Sequence, residues 1–183
     1  PMIKGFSVFN AEQVDGYELP NTEEKPATFN HIKAETLVNN SQAIVKHGGD
    51  KAFYSPKLDF IQMPNKEDFK GTETTNAKQA YYSTLLHELS HWSGHEKRLD
   101  RKLISRFGSN AYAFEELVAE TSASFLCAIL KVNNKPSIDN AKYLNSWLEI
   151  LKQDKKAMMK AFSLAQKATD YLLYYTNQMQ EVA

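Results

Sequence analysis

Cysteine is nearly missing from this chain. Cys127 stands alone, which excludes an internal disulfide and a cysteine-built metal site. Net charge is missing as well: 22 basic side chains balance 22 acidic ones, and that balance argues against nucleic acid as a partner of this segment by itself. No apolar run reaches the roughly 18 residues that a spanning helix needs, so no membrane partner is expected. The first residues, "PMIKGFSVFN", lack the basic, apolar and small-residue sections of a signal peptide. A cytoplasmic protein is expected, and a chain that begins at Pro1 rather than Met is expected to be a fragment or a processed product. Internal repeats and low-complexity tracts are absent too. A length of 183 residues suits one domain with its own core. The 42% hydrophobic and 24% charged content is that of an ordinary globular protein.

The order of elements predicts an α+β fold: a small N-terminal sheet with a hairpin, then four helices. Residues Gly5 to Asn10 read as a short strand, followed by a polar, proline-bearing stretch without period. A helix is predicted from Ala34 to Lys46, stopped by Gly48 and Gly49. "KAFYSPKLDFIQM" reads as a hairpin, with strands Ala52–Tyr54 and Asp59–Met63 around Ser55, Pro56 and Lys57. The four helices are predicted over Asn76–Ser93, Asn110–Lys131, Asp139–Gln153 and Lys155–Tyr175. Gly94 sits where a left-handed cap would close the first of them, and Ser109 or Asn110 would cap the second. Met158, Phe162, Ala165, Ala168 and Leu172 share the predicted inner face of the last.

The first of these helices carries "HELSH". His87 and His91 are four residues apart, so both imidazoles lie on one face, a turn apart. Two neutral imidazoles so placed can take two corners of a zinc tetrahedron. Glu88 points ~100° away around the axis, where it can flank a metal without binding it and carry a proton. That is the H-E-x-x-H arrangement. Leu85, Leu86 and Leu89 can anchor the other side in the core.

Zinc needs a third protein ligand. A downstream histidine in the longer H-E-x-x-H-x-x-G-x-x-H pattern is excluded, because Lys97 stands at its final position. The next helix, "NAYAFEELVAETSASFLCAIL", places Glu115, Glu116 and Glu120 in apolar surroundings. Carboxylates there are costly unless paired or metal-bound. Glu116 and Glu120 share a face that Ala123 and Cys127 continue. We assign Glu116 as ligand and Glu120 as the carboxylate orienting a ligand histidine. Exchanged roles, and Glu115 as ligand, remain open on the sequence.

Three stretches, "FSVFNAEQV", "HELSHWSGHEKRLDR" and "YAFEELVAETSASFLCA", together resemble the zincin-like metallopeptidase domain of ArdC-type antirestriction proteins. Related domains occur in plasmid primases and phage polyvalent proteins. The match is strongest from Tyr81 to Leu130. The resemblance implies a zincin fold of the gluzincin kind over residues 1–183. It also implies one Zn2+ on His87, His91 and a glutamate of "EELVAE", with Glu88 as catalytic base. Nothing in the chain matches the single-stranded-DNA-binding domain that precedes this one in the family, so single-stranded DNA would be a partner of a longer parent protein. A peptide or protein is the implied substrate. The alternative implied is a zinc-bearing accessory or binding module that cleaves nothing.

A peptidase also needs an electrophile beside the scissile carbonyl. His95 and Tyr112 flank the motif helices and are the candidates. The strand Asp59–Met63 would serve as the edge along which an extended peptide pairs. Its alternation sets Phe60 and Gln62 on one face and Ile61 and Met63 on the other. Arg98, Arg101, Lys102 and Arg106 read as a solvated basic face. Cys127 and the Met and Tyr residues of the last helix read as core.

Overall fold

The structure, a computed structural model, describes residues 15–16, 31–72, 75–103, 110–132, 147–148, 152 and 156–177. The strand expected over Gly5 to Asn10, most of the helix expected over Asp139–Gln153, Ser109 and Arg106 lie outside them. The fold is α+β. Helix α1 spans Ile32–Ser41, and strands β1 (Ile44–His47), β2 (Phe53–Ser55) and β3 (Phe60–Met63) follow. The long helices α2 (Ala77–Ser93), α3 (Asn110–Leu130) and α4 (Ala157–Asn177) complete it. Among the described residues no helix is long and apolar enough to cross a membrane.

The hairpin forms as its alternation predicts, with β2 and β3 antiparallel and Tyr54 opposite Ile61. Ile61 and Met63 are fully buried, and Phe60 and Gln62 only partly so. The helix expected to reach Lys46 is shorter. It ends at Ser41, where Gln42 turns left-handed with φ 59° and its N–H caps Asn39 O. The β-branched Ile44 and Val45 then enter a strand rather than a fourth helical turn. That strand, β1, pairs in parallel with β3, and the sheet order is β1-β3-β2. Asp59–Met63 is therefore not an edge: β3 is the central strand, and β2 is the edge on the hairpin side.

Helix α2 starts at a capping box, in which Asn76 Oδ1 accepts the Gln79 N–H and the Gln79 side chain accepts the Asn76 N–H, both at 2.9 Å. Tyr81, Tyr82, Leu85, Leu86, Leu89 and Trp92 bury one side of it against the sheet and α4. Gly94 does cap its end, but with right-handed φ −83° rather than a left-handed turn. Glycine is needed there for space. A Cβ would lie 2.7 Å from the Arg101 guanidinium carbon and 2.8 Å from Leu103 Cδ2.

Helix α3 packs between α2 and α4. Its contact with α4 is lined by small residues: Ala157, Ala161, Ala165, Ala168 and Thr169 are buried. Ser122 and Thr169 hydroxyls meet across it at 3.1 Å, and Thr169 also bonds Ala165 O at 2.9 Å, so neither buried hydroxyl is unsatisfied. The inner face of α4 is thus an alanine stripe closed by Leu172. Ala165, Ala168 and Leu172 of the expected inner face are fully buried, but Met158 and Phe162 of that face are exposed, as are Met159 and Tyr174, which were expected in the core, because small residues let two helices approach closely and push large neighbours to the rim. Cys127 is buried as expected.

Candidate metal centre

Helices α2 and α3 face each other with their polar residues inward. His87 and His91 stand one turn apart on α2, their rings 4.8 Å between centroids and nearly perpendicular. Glu116 reaches between them from α3. Its Oε2 lies 3.5 Å from His87 Nε2, and its Oε1 lies 3.5 Å from His91 Nε2. The three side chains offer ligand atoms all within 4.8 Å of one another. Donors at 2.0–2.1 Å from a tetrahedral ion would stand about 3.3 Å apart, so this triad fits a divalent cation with little rearrangement.

Each imidazole is held from behind. Glu120 Oε2 accepts from His87 Nδ1 at 2.8 Å, and Glu115 Oε1 accepts from His91 Nδ1 at 3.2 Å. Both Nε2 atoms are thereby left to face Glu116, the tautomer a metal requires. Glu120 thus stands behind His87 and Glu116 between the two histidines, as the helix spacing predicts, whereas Glu115, an open candidate for ligand, stands behind His91 instead. Two adjacent glutamates on a helix point ~100° apart, so Glu115 and Glu116 cannot enter the same space, a clue that was available.

Behind Glu115 stands Arg101. Its side chain is 3% exposed, not solvated as expected of the basic run. Arg101 Nε and Nη2 bond Glu115 at 3.1 and 2.8 Å, Nη1 bonds Ser93 Oγ at 2.9 Å, and Nη2 also reaches Ser90 O at 2.6 Å. Arg98 is half-buried. It grips Asp59 with both terminal nitrogens, bonds Tyr54 OH at 3.0 Å, and lies 3.8 Å over the Trp92 ring. Lys102 is the exposed member, paired with Asp100 at 2.9 Å. A sequence window shows charge density but not which long side chains fold back, so the run's division into two clamps and one surface lysine was not legible.

Burial alone would push both imidazoles down, yet the carboxylates reverse this. Glu116 and Glu120, with Glu88 beyond them, raise His87 from the ordinary 6.5 to about 10. Glu115 and Glu116 raise His91 against burial and against the charge of His87. Reciprocally, against the opposing effect of burial, the two histidines hold Glu116 well below the usual carboxylate range, and His91 with Arg101 does the same for Glu115. Without a metal the site is an ion-paired cluster. A cation entering it must displace the imidazole protons.

The triad opens on a cleft of about 550 Å³. Glu88, 7% exposed, lines it beside His87, and so does Tyr112 from the first turn of α3. Six consecutive residues, 52–57, form the opposite wall, so edge strand β2 runs along the cleft. His95, the other electrophile candidate, does not line this cleft. It lines an adjoining pocket, and its Nδ1 accepts the Lys97 N–H at 3.2 Å.

Known proteins carry the same architecture. The antirestriction ArdC protein from the R388 plasmid, in its Mn(II)-bound crystal structure, superposes with a TM-score of 0.70 at 36% identity, over 97% of this chain and 64% of that one. Its metal-free structure matches with the same TM-score. "Uncharacterized protein y4eC" of Sinorhizobium fredii (strain NBRC 101917 / NGR234) is 40% identical over 169 residues, 92% of this chain and 53% of that protein. "DNA primase TraC" of Escherichia coli is 40% identical over 184 residues, 99% of this chain and 16% of that protein. The chain thus spans about half or less of these curated relatives. The family described as a zincin-like metallopeptidase matches residues 32–164, and this chain belongs to it.

Proposed function

We propose that the chain is a zinc-dependent peptidase domain, with His87, His91 and Glu116 as ligands, Glu120 and Glu115 orienting the histidines, and Glu88 as catalytic base. The observation that carries this reading is the convergence of two carboxylate-backed Nε2 atoms and the Glu116 carboxylate. They lie in a cleft lined also by a buried Glu88 and by β2, an edge strand among the described residues. When bound, zinc supplies a Lewis acid that lowers the pKa of water and polarises a carbonyl. Strand β2 holds an extended peptide by main-chain hydrogen bonds. Glu88 takes a proton from the attacking water as its oxygen bonds to the carbonyl carbon, then returns that proton to the amide nitrogen as the C–N bond breaks. Tyr112, which lines the same cleft, would hydrogen-bond the carbonyl oxygen as negative charge gathers there.

The names of the relatives support a setting in a longer antirestriction protein of a mobile element, where contact with single-stranded DNA would belong to other segments. Glu88→Gln tests the chemistry. We expect it to keep its metal and lose hydrolysis of a casein-derived peptide mixture by at least about 10²-fold, the lower range of a lost general base. Wild-type turnover in that variant would sink the assignment. A binding module without activity is the other reading, but a site that only binds has no use for a buried base beside the triad.

A further inference from the structure

The cleft has a neighbour. A second pocket of about 520 Å³ adjoins it, and the two share Pro56, Lys57 and Leu103. Pro56 and Lys57 sit at the end of β2, where the hairpin turns. A peptide paired along β2, advancing about 3.3 Å per residue, leaves the strand at this end and passes directly into the second pocket.

The polar groups on the pocket wall divide into engaged and unengaged. Asp59 is gripped by Arg98 and accepts from Tyr54 OH at 2.7 Å. Asp100 is paired with Lys102. His95 is only 9% exposed. Its Nδ1 is taken by the Lys97 N–H, which places the ring proton of the neutral form on Nε2. That nitrogen has no hydrogen-bond partner among the described residues. Lys57 and Lys97 are exposed and make no ion pair among the described residues, and Glu96 is the sole acid left on the wall in the same state. Two ammonium groups and the unpartnered His95 Nε2 therefore line the pocket beside one carboxylate. Pro56 and Leu103 add apolar wall for methylene groups. The Arg98 clamp, which stacks on Trp92 of α2 and holds the hairpin through Asp59 and Tyr54, fixes the partition between the two pockets relative to the His87–His91 helix.

We propose that this pocket is a specificity subsite for an acidic side chain, glutamate in particular, carried by the peptide that lies along β2. The inference rests on the peptide-binding reading of the cleft. Lys57 and Lys97 supply the charge, His95 Nε2 donates the directional hydrogen bond, and the apolar wall favours the longer of the two acidic residues.

The test uses the zinc-loaded Glu88→Gln chain, which is expected to bind without cleaving, to select from a random octapeptide display library. We expect glutamate to be enriched roughly fivefold at one position, the size that an exposed charge contact supports. In Lys57→Ser/Lys97→Ser, whose side chains are exposed and should leave folding intact, the enrichment should vanish. In His95→Gln it should broaden from glutamate to any acceptor. No acidic enrichment, or enrichment unchanged in the double lysine variant, overturns the subsite. Selected peptides are then offered to the wild-type chain. Acidic enrichment without cleavage would leave the subsite standing and remove the peptidase reading, so the two claims fail separately.

Discussion

The buried Arg101–Glu115 pair makes a quantitative demand. Arg101→Met replaces the guanidinium with an apolar side chain and strands Glu115, 12% exposed, with only His91 for a partner. Breaking a buried ion pair from one side costs about 3–5 kcal/mol, because the remaining charge is desolvated and uncompensated. For a chain of this size that corresponds to a fall in Tm of about 6–20 °C. The assay is thermal unfolding of chelator-treated protein, so that metal binding does not mask the change. Adding Glu115→Gln to Arg101→Met removes the stranded charge while keeping an oxygen for His91 Nδ1. The double variant should regain at least about half of the lost stability. A single variant within about 1 kcal/mol of wild type, or a double variant worse than the single by the full cost of a second lesion, would refute the view that Arg101 neutralises Glu115.

Two further outcomes follow from the same cluster. In metal-free protein, the raised His87 and His91 contribute stability that is full below the ordinary imidazole value of 6.5 and is lost as pH rises through their folded values, about 10 for His87. The depressed Glu115 and Glu116 contribute stability that is present above the ordinary 4.5 and is lost as pH falls through theirs. Metal-free Tm should therefore peak between about 4.5 and 6.5 and decline toward pH 10, while zinc affinity climbs between 6.5 and 10 as protons cease to compete. Melting curves with chelator and with zinc check this, and a flat metal-free profile above 6.5 would contradict it. Gly94→Ala should cost about 1–3 kcal/mol, since its methyl must displace a guanidinium held by several hydrogen bonds. A neutral result in the same melting assay would show that Arg101 can move aside freely.

The candidate metal-binding helix was legible because its message is local. Two histidines four apart with leucines behind them specify a face, and the structure sets both imidazoles on it beside Glu116. The Glu116 and Glu120 positions were legible for a related reason: acids on an apolar helix demand partners. What escaped depends on distant contacts. The exchange of helix for strand at Gln42 hinges on a left-handed residue that carries no glycine to announce it. The rank of β3 as central strand depends on β1, which the sequence reading had absorbed into a helix, and so the edge was assigned to the wrong strand. Arg98 and Arg101 looked like surface charge, but their partners Asp59 and Glu115 lie 39 and 14 residues away in sequence. On α4 the expected face held at Ala165, Ala168 and Leu172 but gave way at Met158 and Phe162 to Ala157 and Ala161, because a helix can be buried through its smallest residues, a choice visible only once α3 is in place.

The central claim is that Glu116 completes a metal triad with His87 and His91. It is tested most directly by elemental analysis of protein purified without chelator, for the wild type, Glu116→Ala and Glu120→Ala. The account predicts about one zinc per wild-type chain, nearly none in Glu116→Ala, and a weakened but measurable content in Glu120→Ala, since an orienting carboxylate is worth roughly 10–100-fold in affinity. Full metal content in Glu116→Ala, or none in the wild type after dialysis against zinc, would contradict it.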